Sequence, residues 1–293
     1  MKRVVILGNK GLLGGTLAQK WAGRFELNLV SRVELDVSSS SAIASFFEKV
    51  QADWVFNCTG LTSLEACEEK PELAAAINVE APGTMAAAAA RRKIRFVHFS
   101  TDYVFDGKTS VPYREEDAAS PLGVYGKTKL EGERRTLAAS PEHLIFRISW
   151  VFGPGRESFS DMVIRKSLAG EPLSIIGDKW ASPTSAADLA DCLEQWIESP
   201  RHEGGIFHFC NSGVCTWVDY ARHALLVASE VGLPLRTTEV APVPLEGFPF
   251  FHAPRPVFSA LDCSKLEKHL DQPPRPWQDA LTEYLQHQFS KRP

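Results

Sequence analysis

Tyr125 and Lys129 stand four residues apart in Tyr125-Gly126-Lys127-Thr128-Lys129, a spacing that sets both side chains on one face of a helix. A phenol with a reference pKa near 10 is a poor proton donor at neutral pH, but a nearby ammonium favours the phenolate and brings it toward working range. The chemistry such a pair can do is proton transfer. Upstream, an apolar run closes in Ser100-Thr101-Asp102-Tyr103, which places the Thr101 hydroxyl at the C-terminal edge of a strand. There it can donate to a substrate carbonyl. Standing alone, Thr101 reads as a turn or a helix cap; beside Tyr125 and Lys129 it becomes a catalytic candidate.

A second group of residues is suited to phosphate. Residues 4–7 are apolar and lead into Gly8-Asn9-Lys10-Gly11-Leu12-Leu13-Gly14, followed by a helical stretch over residues 16–21. Gly8 permits a tight turn, Gly11 lets backbone approach a pyrophosphate, and Gly14 lets the helix pack on the sheet. Leu12 and Leu13 belong to the same cradle, whose amides face the phosphates. The second strand ends in Val30-Ser31-Arg32, with no acid for a ribose 2′-hydroxyl and an arginine suited to a 2′-phosphate. Ser31 and Arg32 therefore point to NADPH, with NADH the alternative. Asp36 and Val37 are adenine contacts, and Thr59, Gly60 and Thr62 border the crevice beyond the third strand.

These residues need a frame that brings strand ends together. Apolar runs at 4–7, 26–30, 54–58, 95–99 and 144–148 alternate with helical stretches, the rhythm of an α/β, doubly wound parallel sheet (Rossmann). Residues 71–92 are rich in helix formers, and Pro82-Gly83 must interrupt or begin a helix there. A further helix carries Tyr125 through residue 137. After Trp150 short strands, at 173–176 and 206–209, alternate with loops, and proline is frequent over 234–276. The expected division is a dinucleotide-binding domain over 1–150, with some later segments returning to it, and a smaller mixed substrate lobe over 151–293.

Composition excludes other classes. A net charge of −4 with 23% charged residues gives no basic stripe for nucleic acid. The six cysteines show no zinc spacing and read as reduced, mostly buried thiols. The apolar run at 4–7 is too short for a signal sequence, and none reaches membrane-span length, which points to the cytoplasm.

The segments "GNKGLLG", "FNCTGLTSLEACE", "VHFSTDYVFDG", "PLGVYGKTKLEGE", "FRISWVFG" and "SPTSAADLADC" resemble, in order, the extended short-chain dehydrogenase/reductases, and within them the dTDP-4-dehydrorhamnose reductase family. The resemblance implies hydride delivery to the C4 ketone of a nucleotide-linked 6-deoxyhexose, dTDP-4-dehydrorhamnose becoming dTDP-L-rhamnose. It implies Thr101, Tyr125 and Lys129 as catalytic, and Asp102 and Trp150 as sugar contacts. Similar 4,6-dehydratases need Asp-Glu after the threonine, where this chain has Asp102-Tyr103; similar epimerases read Ser-Ser there. Ketone reduction remains. Two segments depart from the family pattern, Asp178-Lys179-Trp180-Ala181-Ser182-Pro183-Thr184 and Ser158-Phe159, so the exact sugar stays open. Some family members are metal-bridged dimers; the corresponding position near the first helix is Thr16, so no structural metal is expected, while a homodimer stays open.

Two alternatives stand: a reductase for a different nucleotide-linked keto sugar, or a non-catalytic NADP-binding subunit resembling the methionine adenosyltransferase β subunit, on "PYREEDAASPLGVYGKTKLEGE" and "LDCSKLE". His98 reads as a core histidine, and Trp217 with Tyr220 as helix packing. Arg255 reads either as a diphosphate contact or as a solvated loop charge.

Overall fold

The computed structural model describes residues 1–199 and 203–290. Six strands form one parallel sheet: β1 (Arg3–Leu7), β2 (Glu26–Val30), β3 (Trp54–Asn57), β4 (Arg95–Thr101), β5 (Leu144–Ile148) and β6 (Gly205–His208), in the spatial order β6-β5-β4-β3-β1-β2. The chain builds outward from β1 to β2, then crosses back to β3 on β1's other side. Beyond the carboxyl ends of β1 and β3 lies the crevice that such a reversal creates.

The main helices are α1 (Leu12–Lys20), α2 (Ser40–Lys49), α3 (Ala81–Arg91), α4 (Val124–Ala139), α5 (Phe159–Ala169), α6 (Ala186–Glu198), α7 (Trp217–Glu230) and α8 (Trp277–Phe289). Successive strand residues face opposite sides of the sheet. Val4, Ile6, Trp54 and Phe56 therefore pack with Leu17 of α1 and Leu193 of α6, while Val5, Leu7 and Val55 pack with Phe47 of α2 and Met85 of α3. A smaller body buries Phe152, Ile164, Tyr220, Trp277 and Leu281 between α5, α7 and α8, beside the parallel pair Leu173–Ile176 and Val240–Val243.

Three local expectations are corrected. The run expected at 206–209 does not belong to the substrate lobe: Gly205–His208 pairs with β5, Phe207 beside Phe146. Its apolar side chains complete the sheet's core, and its outer edge is covered by Lys265 Nζ donating to the Ile206 carbonyl at 2.7 Å. Helix α1 starts at Leu12, directly from the glycine turn, and not at residue 16. Helix α3 does begin at Pro82-Gly83, but the chain before it, Ala76–Glu80, stays helical as a widened π turn after Pro71–Ala75. Proline lacks the N–H that a regular turn would use there, and the wider turn accommodates it.

Candidate active site

The turn after β1 is built around two close backbone approaches. Gly8 has φ +82°, and its N–H donates to the Val30 carbonyl at 2.8 Å. A Cβ on Gly14 would lie 2.5 Å from the Gly8 carbonyl oxygen, so α1 can start this close to β1 only with glycine. Gly14 is buried behind the turn, where the lack of a side chain serves the packing of α1. Helix α1 has no acidic residue in its first turn and no side-chain cap, so its first amides are open to an anion.

Two connected cavities meet at this turn. One, of about 270 Å³, is walled by Gly8, Ser31, Arg32, Asp36 and Val37. The other, of about 440 Å³, is walled by Leu12, Leu13, Thr62, Thr101, Asp102, Tyr125, Lys129 and Trp150. Gly11, Thr59, Gly60 and Arg156 border both, which makes them one continuous trough. Lys10, Arg32 and Arg156 set three cations against the single carboxylate of Asp36 in the smaller cavity. That balance suits a group bearing a diphosphate and a further phosphate.

Helix α4 is pressed at two glycines onto its neighbours, the turn after β4 and the π turn at Ala76–Glu80. A Cβ on Gly126 would meet the Tyr103 carbonyl oxygen at 2.2 Å, and one on Gly132 would meet the Asn78 carbonyl oxygen at 2.2 Å. A bidentate ion pair fixes the same helix to β5: Arg147 donates to Glu133 at 2.9 and 2.7 Å, both side chains buried. The π turn contributes as well, since Asn78 accepts from the Leu61 N–H and donates to the Leu61 carbonyl and to Thr128, holding the loop after β3. Tyr125 and Lys129 are thereby set against the Thr101 end of β4.

Lys129 is buried, and its Nζ donates to the Phe99 carbonyl at 2.6 Å and lies 3.2 Å from His98 Nε2. The Thr59 N–H donates to Asn57 Oδ1, which turns the Asn57 amide nitrogen toward His98 Nδ1 at 3.2 Å. His98 Nδ1 then accepts, and the ring's own proton sits on Nε2, facing Lys129. Burial pulls the Lys129 pKa down to about 8, and an N–H facing the amine acts in the same direction. His98 is thus buried, as expected of a core histidine, but it also abuts the candidate lysine.

Tyr125 is half-buried, and burial raises its pKa above the ordinary phenol value, an effect that the neighbouring Thr101 hydroxyl opposes. The net direction is the opposite of the lowering expected from Lys129. Thr101 accepts from the Tyr103 N–H at 3.2 Å, capping the short turn Asp102–Val104, and donates to Asp102 Oδ1 at 3.0 Å. It is a cap and a cleft residue at once. Asp102 is only 2% exposed, and its other oxygen accepts from Ser259 at 2.6 Å, so little of it is left to meet a sugar. Trp150 adopts φ +44°, a left-handed conformation costly for a bulky residue, and packs on Trp217. Its Nε1 is buried without a hydrogen-bond partner among the described residues.

The chain matches the family model described as RmlD substrate binding domain over residues 1–289. It is 35% identical over 258 residues to a dTDP-4-dehydrorhamnose reductase of Salmonella typhimurium, covering 87% of this chain and 86% of that protein. The chain belongs to this reductase family. A crystal structure of a dTDP-4-dehydrorhamnose reductase from Clostridium acetobutylicum superposes with a TM-score of 0.91 at 32% identity, covering 98% and 99% of the two chains. Another from Bacillus anthracis, in complex with NADP, gives 0.89 at 25% identity, covering 98% of each chain.

Against the family expectation, Arg255 is neither a solvated loop charge nor free for a diphosphate. It is buried, paired with Glu65 at 2.8 Å and stacked on Phe251 at 3.4 Å. Tyr220 is core and Trp217 packs beside Trp150 and Phe159. All six cysteines are free thiols, five of them buried. No group of three or more His, Cys, Asp or Glu converges as metal ligands do, and no helix is long and apolar enough to cross a membrane, both among the described residues. Sequence reasoning missed Arg156, which follows Gly155 in a loop with no motif; it placed Asn57 at the crevice end of β3 but not its hydrogen bonds with Thr59 and His98.

Proposed function

We propose that the chain reduces the C4 ketone of a nucleotide-linked 6-deoxyhexose, with dTDP-4-dehydrorhamnose as the substrate and dTDP-L-rhamnose as the product. The observation that carries this reading is the single trough that joins the glycine turn, with its uncapped amides and cations, to the Tyr125, Thr101 and Trp150 wall. NADPH fits that trough, and when bound it supplies the hydride. Gly8, Gly11, Leu12 and Leu13 would hold its diphosphate, Ser31 and Arg32 its 2′-phosphate, Asp36 and Val37 its adenine, and Thr59, Gly60 and Thr62 its central portion.

The remaining work falls to the chain's own side chains. Tyr125 carries its proton at the phenol oxygen at neutral pH, since burial holds the pKa high, and so stands ready as a donor to a ketone oxygen. A hydrogen bond from Thr101 to the resulting phenolate would stabilise it, provided the Thr101 proton turns from Asp102 toward the cleft. Lys129, whose pKa burial draws down to about 8, orients the ribose end and returns a proton to the tyrosine. Trp150 walls the sugar. The cytoplasm and a homodimeric assembly belong to the same reading.

The test is NADPH oxidation across dTDP-, UDP- and GDP-linked 4-keto-6-deoxy sugars. Tyr125→Phe is expected to lose roughly 10²-fold or more in kcat while its Kd for NADPH stays within about twofold. Turnover by Tyr125→Phe at the wild-type rate would refute the role. No turnover on any of these sugars, with a partner protein copurifying, would favour a regulatory subunit.

A further inference from the structure

Four polar residues form an unbroken chain of contacts from the trough to the candidate lysine: Thr59, Asn57, His98 and Lys129. Thr59 borders both cavities, and its N–H and hydroxyl both donate to Asn57 Oδ1, at 3.1 and 2.5 Å. A backbone N–H can only donate, so the Asn57 atom it meets is the oxygen, and the amide nitrogen faces His98 Nδ1 at 3.2 Å. The ring accepts there and carries its proton on Nε2, 3.2 Å from Lys129 Nζ. Burial keeps the ring neutral, with its pKa well below the ordinary histidine value.

With Lys129 as an ammonium, this chain holds one donor too many. Every N–H of an ammonium is a donor, so its approach to His98 sets N–H against N–H. A neutral amine has a lone pair for that contact, one N–H for the Phe99 carbonyl at 2.6 Å and one for the trough. Reversing the ring would move the clash to Asn57, and turning the Asn57 amide would move it to Thr59, whose backbone N–H is fixed. An unmatched donor in a buried polar chain is costly, so the chain favours the neutral amine.

We propose that Asn57 and His98 are positioning residues for proton return: they aim a fixed ring N–H at Lys129, ready for the lone pair that its nitrogen exposes on giving a proton to Tyr125. In that step an Nζ–H bond breaks, its electron pair stays on nitrogen, and the proton goes to the phenolate oxygen, so cation and anion both become neutral. A proton from solvent then restores the ammonium through the trough. The ring N–H makes Lys129 a stronger acid than burial alone would. Glu133 of α4 and Cys67 favour the charge of Lys129, and Glu133 is already held by Arg147. Proton return rests on the reductase reading above; the ring tautomer and its effect on Lys129 do not.

Nitrogen-15 spectra of the whole chain are expected to show His98 neutral with its proton on Nε2 from pH 6 to 9, its signals identified by their loss in His98→Gln. Asn57→Asp gives Nδ1 a carboxylate to donate to, which reverses the ring, and His98→Gln offers the ammonium an amide oxygen. Each is expected to raise the Lys129 pKa, followed through its labelled side-chain carbon, by about one unit. In turnover, the alkaline fall of kcat should move up by the same amount, with KM within about twofold of the wild type. A wild-type proton on Nδ1, a charged ring, or a Lys129 titration unmoved in both variants would overturn the proposal, as would an alkaline limb that stays fixed while Lys129 shifts. A wild type that turns over no nucleotide sugar would instead refute the reductase reading, and the spectra would still decide the chain of contacts.

Discussion

At the scale of single residues, the site separates groups that meet the trough from groups that hold them. Arg32 is exposed at the rim of the smaller cavity with Lys10 and Arg156. Titrated by fluorescence, Arg32→Ala is expected to weaken NADPH about 10- to 100-fold, the worth of a charge-assisted contact, and NADH by less than about twofold. Equal losses for both cofactors would remove the 2′-phosphate role. The trough residues were legible because chemistry restricts residue type: only glycine tolerates the approach at Gly8 and Gly14, and phenol with amine at a helical spacing has few other uses. The holding residues were not. Asn57, His98 and Ser259 act through distances set by strands and loops far apart in sequence, which no local spacing encodes. Lys129 shows the same limit, since its position was readable but its engagement with Phe99 and His98 was not.

At the scale of elements, α4 is the part on which the chemistry depends. Gly126→Ala would drive a methyl group into the Tyr103 carbonyl, displacing Tyr125 from Thr101. The expected result is a loss of kcat of roughly tenfold or more together with a lowered Tm; a variant as active and stable as the wild type would show that the helix can shift freely. Glu133→Gln leaves the Arg147 guanidinium buried without its counter-charge, which should cost about 3–5 kcal/mol, a fall in Tm on the order of 10 °C. Replacing both partners by apolar residues should recover much of that loss, read by thermal denaturation. Sequence gave away most strands and helices because their apolar periods differ, and β2 and β5 coincide with the expected bounds. It failed for β6, where four residues between loops carry no sign of which sheet will accept them. Pairing with β5 is a tertiary decision.

At the scale of the whole molecule, burial of titratable groups sets the pH range of stability. Cys58, Cys67, Cys192, Cys215 and Cys263 all have raised pKa values, as do Tyr103 and Tyr125, so the folded chain holds their protons after the unfolded chain has released them. Stability is therefore present below the ordinary thiol pKa and is lost as pH rises above about 9. Lys129 and Lys179, both lowered to about 8, act oppositely, since the penalty of burying their charge is relieved as pH rises from 8 toward 10.5. Two amines do not offset seven acids. Under reducing conditions Tm should pass its maximum below about pH 9 and fall beyond it; a Tm that kept rising to pH 10 would contradict this balance. On the acid side His208, lowered to about 3 by burial, stays neutral in the folded chain and withdraws stability below about pH 6.5. The return of the chain to β5 through α6 and β6 carries a different consequence, for birth and not for equilibrium. Most of the trough wall has left the ribosome by residue 150, yet β5 remains an open edge, and Phe146 lacks its cover, until residue 209 has emerged. The nascent chain must hold an unfinished sheet while the substrate-side segments are still being made, an interval in which an unpaired β5 is open to the wrong strand.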